Sequence, residues 1–236
     1  MTRETARELS HMMRISTTGT RRWILAAALC GVLSTGCSSG GEDGDEAKPR
    51  PKPAAEPRPL AEAALHPLLL TQADLGTGYV HVQEKPGSDK FDDVAVQGCP
   101  ALEKLGQSGE EKMFAAKAET SFTYTRDATL DEELHSDRPS VLSGKLRELF
   151  GAYTSCPTYT MTAGTIPIEV KVTKSVPPNL GDEQFVYTST LELPSGAQVL
   201  KTMAVRKGNV VVMLVGAPAL VDRHMKTAVG KLPAGG

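Results

Sequence analysis

Apolar and polar residues alternate through Ile166-Pro167-Ile168-Glu169-Val170-Lys171-Val172, and the same period of two recurs over residues 185–191 and 198–205. Each stretch predicts a strand with one buried face. Arg206-Lys207-Gly208-Asn209 follows and predicts a hairpin turn, because Gly and Asn tolerate positive φ. Val210 to Val215 is apolar at every position, the pattern of a central strand. Helical spacing marks two other stretches. Leu142, Leu146, Leu149, Phe150 and Tyr153 recur behind Pro139 and predict a helix beginning near Ser140. Leu220, Val221, Met225, Val229 and Leu232 predict a closing amphipathic helix over residues 219–232.

Weaker patterns fill the preceding part. Residues 60–70 are rich in Ala and Leu and predict a short helix interrupted by Pro67, followed by a capped turn at Thr71-Gln72-Ala73-Asp74. Tyr79-Val80-His81-Val82 and Ser121-Phe122-Thr123-Tyr124-Thr125 predict strands, the second with Phe122 and Tyr124 on one face. Asp131-Glu132-Glu133 reads as a solvated loop or a helix start. Successive strands joined by short turns pair antiparallel, and helices lying outside that run give the α+β class. The expected architecture is one antiparallel sheet with helices packed on one face, formed by residues 60–236.

The chain upstream is of a different kind. Arg14, Arg21 and Arg22 precede an apolar stretch from Trp23 to Leu33. As a helix that stretch rises only about 16 Å, half a bilayer core, so it reads as the h-region of a signal peptide spanning residues 1–36. Met12 and Met13 offer alternative starts to Met1. Leu33-Ser34-Thr35-Gly36-Cys37 resembles the lipobox of bacterial lipoproteins. It departs from the usual pattern in having Ser34 three places before the cysteine, with the aliphatic Leu33 one further back. The resemblance implies that Cys37 becomes the N-terminus and carries diacylglycerol and fatty-acyl (palmitate-type) chains. Its partner is then membrane lipid, and the protein sits at the outer face of the cell membrane. Cys30 is excluded from that role by the large Leu29 before it. Thr20-Arg21-Arg22-Trp23 also resembles a twin-arginine export signal, so the Sec and twin-arginine routes both fit. Residues 37–59 hold an acidic cluster and Lys48-Pro49-Arg50-Pro51-Lys52-Pro53. With no apolar periodicity they predict a disordered tether, which X-Pro pairs would stretch to a reach of about 60 Å.

Charge narrows the partners. Residues 1–37 hold five Arg and two Glu, so their removal leaves 21 basic and 26 acidic side chains, a net charge of −5. A negative chain is ill suited to nucleic acid, whose binding depends on Lys and Arg neutralising phosphates. Cys99 and Cys156 remain beside Cys37, and two thiols in an exported domain are expected to form a disulfide. Such a bridge would pin the segment 101–105 to the end of the helix that precedes Cys156. Catalytic signatures are missing. His66, His81, His135 and His224 are scattered, with no metal-ligand spacing. Gly106-Gln107-Ser108-Gly109 has Glu110 where a nucleophile elbow needs Gly, and Ser143-Gly144-Lys145 lacks the upstream Gly of a phosphate loop. No catalytic residue, metal site or cofactor is expected.

Leu180-Gly181-Asp182-Glu183 before a strand, Arg206-Lys207-Gly208-Asn209 before an apolar strand, and cysteines matching Cys99 and Cys156 carry one further resemblance. Over residues 65–232 the chain resembles the extracellular sensor domain of actinobacterial Ser/Thr kinases and the free lipoproteins built on it. The resemblance implies an α+β domain with a cleft for an envelope ligand. This chain departs from it in offering one disulfide where two are frequent, and in having no kinase. The expected function is a non-catalytic ligand-binding or sensory lipoprotein of the cell envelope. A structural or chaperone-like partner in envelope assembly is the alternative, and an envelope hydrolase built from scattered acids and tyrosines is a third reading.

Overall fold

The apolar run that closes the hairpin becomes the strand around which the sheet is organised. The structure is a computed structural model that describes residues 56–82, 94–107, 113–125 and 128–233. The signal peptide, Cys37 and the tether up to residue 55 lie outside the described residues. In chain order the strands are β1 (Tyr79–His81), β2 (Val94–Gln97), β3 (Ala116–Tyr124), β4 (Ala128–Ser136), β5 (Thr158–Ala163), β6 (Ile166–Lys174), β7 (Glu183–Leu193), β8 (Gly196–Lys207) and β9 (Val210–Gly216). They form one antiparallel sheet in the order β1-β3-β4-β9-β8-β7-β6-β5-β2. The helices are α1 (Glu62–Leu65), continued by a 3-10 turn at His66–Leu68, then α2 (Gln72–Leu75), α3 (Pro100–Gln107), α4 (Pro139–Tyr153) and α5 (Pro218–Lys231). The α+β class and the single antiparallel sheet are those expected.

Helices cover both faces of this sheet, not one. β9 shows why, since all its residues are buried. Val211, Met213 and Val215 pack with Leu142, Leu146, Leu149 and Phe150 of α4 and with Leu102 and Leu105 of α3. Val210, Val212 and Leu214 pack with Leu220, Val221, Met225 and Val229 of α5 and with Leu65, Leu69, Leu70 and Leu75 of the N-terminal segment. These are called the α4 face and the α5 face below. Successive strand residues point to opposite sides, so an uninterrupted apolar run requires a roof on each.

The predicted disulfide joins Cys99 to Cys156, with Cα atoms 5.8 Å apart. It ties the residue preceding α3 to the stretch following α4, and α3 packs on both α4 and β2. The two short motifs at 180–183 and 206–209 also meet. Asp182 N–H donates to the Arg206 carbonyl at 2.8 Å. Its carboxylate accepts from Gly208 N–H at 2.7 Å and from Arg206 Nη1 at 3.1 Å. Arg206 Nε donates to Glu183 at 2.8 Å. Of the two hairpin residues only Gly208 takes positive φ, at 60°. Asn209 contributes hydrogen bonds instead: its Nδ2 donates to the Arg58 carbonyl, and its own carbonyl accepts from Ser136 Oγ at 2.7 Å.

The last residues of the expected tether are held on the domain. Glu56 accepts from Ser140 N–H at 3.2 Å and from Ser140 Oγ at 2.8 Å. This satisfies a free N–H in the first turn of α4, where Arg138 supplies no side-chain cap. Leu60 N–H donates to Ser136 Oγ at 2.8 Å.

Three stability outcomes follow from this packing. Reducing the disulfide, or replacing both cysteines by Ser, is expected to cost about 4 kcal/mol on the chain-entropy account of a loop spanning 57 positions. Urea unfolding with and without reductant measures it. Gly181→Ala should destabilise by about 2 kcal/mol or more, because its Cβ would lie 2.5 Å from the Arg206 carbonyl oxygen. Gly144→Ala in α4 meets nothing within 4 Å and should stabilise by about 0.5–1 kcal/mol. Thermal unfolding of the pair checks both signs.

Candidate functional site

The densest polar chemistry of the domain lies where the sequence suggests a solvated loop. Asp131-Glu132-Glu133 is the middle of β4, with exposures of 2%, 0% and 1%, and His135 follows at 1%. β4 lies between β3 and β9, so Leu130, Glu132 and Leu134 point to the α5 face while Asp131, Glu133 and His135 point to the α4 face. The three carboxylates therefore do not converge on a common point. No group of three or more metal-ligating side chains forms among the described residues.

On the α4 face β3 supplies the partners. Lys117 lies opposite His135, and Glu119 opposite Glu133. Lys117 Nζ is 2.6 Å from Glu119 and 3.7 Å from Glu133. The Glu133 carboxylate is also 3.0 Å from His135 Nε2. Phe114 lies over the imidazole with ring centroids 4.5 Å apart. Lys145 of α4 sits 5.4 Å from the centre of that phenyl ring and 3.5 Å from Asp137. The same register row continues across the sheet through Val211 to Arg206 and Glu183. There Ser143 and Arg147 of α4 bond to Glu183. Burial pushes the Glu183 carboxyl up, but Arg206, Ser143 and Arg147 together hold it below its ordinary value. Charged groups thus flank the N-terminal half of α4 on both sides of an apolar centre.

The strip places charged and hydrogen-bonding groups side by side. His135 Nδ1 has no hydrogen-bond partner among the described residues, and its Nε2 meets a carboxylate. The imidazole consequently activates no hydroxyl or thiol among those residues. Two tyrosines line the same face. Burial pushes Tyr159 up to about 12 and pushes Tyr187 upward as well, so both stay phenols. Tyr187 stacks on Tyr153 at 5.6 Å and meets Phe150 edge-on.

The α5 face carries a second polar set. Glu132 accepts from Leu70 N–H at 2.6 Å. Tyr79 Oη lies 2.6 Å from His224 Nε2. Burial, then the charge of Arg223, lowers His224 below its ordinary value, and burial raises Tyr79, so the pair is a neutral phenol hydrogen-bonded to a neutral imidazole. Asp74, held low first by its bond to Lys231, closes a capping box with Thr71 at the start of α2.

Cys99 and Cys156 stand at the rim of the α4-face core as a bonded pair, and Cys37 lies outside the described residues. Sequence reasoning missed the ionisable groups of β4, although Leu130 and Leu134 bracket Glu132 with the period of a strand.

If Lys117 balances the buried Glu133, Lys117→Met should cost about 2–4 kcal/mol. Adding Glu133→Gln should restore part of that loss, with a coupling of about 1 kcal/mol or more in a double-mutant cycle of urea unfolding.

No protein-family model matches the sequence, and no curated protein matches it. Similarity appears among solved structures. The crystal structure of the extracellular domain of PknH from Mycobacterium tuberculosis superposes with a TM-score of 0.55 at 14% identity, covering 74% of this chain and 97% of that one. An uncharacterised Rv0999 ortholog from Mycobacterium smegmatis gives a TM-score of 0.37 at 10% identity over 72% of this chain and 93% of that one, too loose to carry an argument. The domain shares its fold with the extracellular domain of a mycobacterial kinase.

Proposed function

We propose that this chain is an exported lipoprotein whose domain is a non-catalytic, ligand-binding or sensory module, held at the outer face of the membrane by acyl chains on Cys37. The observation that carries the reading is the fold match to a kinase's extracellular domain, nearly the whole of which this fold covers. The disulfide supports the compartment, because such bonds persist in oxidising surroundings. No helix among the described residues is long and apolar enough to cross a membrane, and the acyl chains would supply the attachment. The rim of the polar strip beside α4, where Lys117 and Glu119 reach solvent above the buried Glu133 and His135, is the part offered to an envelope ligand. Its mixed charges and single aromatic suit a polar, hydroxyl-bearing compound better than a hydrocarbon.

Fractionation of cells producing the natural sequence and Cys37→Ser tests the anchor. The natural chain is expected in the membrane fraction, with an intact mass equal to residues 37–236 plus acyl chains and minus two hydrogens for the disulfide. Cys37→Ser is expected in the soluble fraction. Equal membrane retention of both overturns the anchor. Thermal-shift measurements of the soluble domain against cell-wall glycan and peptide fragments test the binding role, and no shift with any of them counts against it.

A further inference from the structure

Residues 60–82 run from the end of the tether through α1, the 3-10 turn and α2 to the edge strand β1, and they form a strap across the α5 face. Leu65, Leu69, Leu70, Leu75 and Tyr79 press into the apolar layer of Leu130, Leu134, Phe122 and Leu220. Two buried polar bonds pierce that layer: Leu70 N–H to the carboxylate of Glu132, at 2.6 Å, and Tyr79 Oη to His224 Nε2 of α5, also at 2.6 Å. Glu132 is fully buried at the middle of β4, and its second oxygen has no hydrogen-bond partner among the described residues. Its cross-strand neighbours, Thr120 of β3 and Leu214 of β9, bring no charge. The charged groups facing it are Asp74 from α2 and Lys231 from α5, and these are bonded to each other at 2.6 Å. A carboxylate here is thus buried under a removable segment with no cation of its own.

We propose that Glu132 is a proton-operated latch: protonated, it holds the strap against the sheet, and ionised, it loosens the strap so that residues 60–82 open locally.

The direction follows from the two environments. With the strap closed, burial is the main influence and pushes Glu132 up to about 7, partly offset by the Leu70 bond. With the strap open the group meets water and titrates near its ordinary 4.5. The raised value belongs to the closed state, so closure is most favoured below 4.5, weakens as pH rises and levels off above about 7. Between pH 5 and pH 8 the opening equilibrium should rise about 70-fold. His224, which faces Tyr79 of β1 and is lowered by burial, acts in the opposite sense on the acid side. The latch does not depend on the function proposed above.

Hydrogen exchange of the soluble domain, corrected for intrinsic rates, reads the opening. Protection of the Leu69, Leu70 and Leu75 amides is expected to lie below that of β8 and to fall about 70-fold from pH 5 to pH 8. Glu132→Gln keeps an acceptor for Leu70 and cannot ionise, so its strap amides should lose that fall and retain only the reverse trend from His224. Strap amides exchanging at the β8 rate at every pH, or the same fall in Glu132→Gln, would overturn the proposal. Carbon-13 titration of the Glu132 carboxyl in the natural sequence needs no variant. A midpoint near 7 is expected, and a midpoint below 5 refutes the latch.

Discussion

A strand roofed on both sides has nowhere to put a charge except inside the protein, and β4 carries three carboxylates and an imidazole there. An isolated buried charge costs several kcal/mol, so each group has to be met on its own face. That requirement shapes what surrounds β4. Lys117 and Glu119 of β3 are brought beside Glu133, and Phe114 over His135. On the opposite side the backbone of the N-terminal segment is drawn down until Leu70 donates to Glu132. Because side chains alternate, Asp131 and Glu133 cannot help Glu132, and the two faces become electrostatically separate.

The two faces also solve the problem differently. On the α4 face the charges form a network with several members, in which Lys117 lies beside both Glu119 and Glu133. The far end of the same row repeats the arrangement with Arg206, Asp182, Glu183 and Arg147. There the two short motifs form a single clamp on the β8–β9 hairpin. On the α5 face one carboxylate meets one amide, with the nearest cation committed to Asp74. A single uncompensated bond is sensitive to protons, and it sits under the one segment of the domain that enters from the tether.

Much of this fold was legible because packing demands follow simple periods. The alternation in β6, β7 and β8, the apolar run of β9 and the helical spacing in α4 and α5 each report a burial pattern directly. Pro139 marks the first turn of α4, and the cysteine pair was readable from compartment and count. β4 was not legible, because Asp and Glu are seldom buried and a local reading assigns such a run to solvent. Only its neighbours could reveal the strand: β3 on one side, β9 arriving some 75 residues later on the other. The two-sided helical cover was hidden for a related reason. A run apolar at every position reports two roofs, yet nothing in the order of elements says which helix supplies which. The capping of α4 by Glu56 spans 84 positions and leaves no local trace.

Residues 56–60 and the strap are one continuous stretch of chain, and its contacts run from α4 to the sheet. Glu56 holds the start of α4, Arg58 and Leu60 hold Asn209 and Ser136, and ten residues later Leu70 reaches Glu132. The first three contacts are exposed or half-buried and individually weak, whereas the last is fully enclosed. Loosening the enclosed contact would leave the chain attached by its polar ends and by β1 at the sheet edge. The segment between would bow away and uncover the apolar layer over Leu130 and Leu134. The α4 face would keep its network, since the strap packs on the opposite side of the sheet. Opening of the strap would then change the α5 face without disturbing the polar strip, and β4, which displays residues to both faces, is the element through which the two would be related.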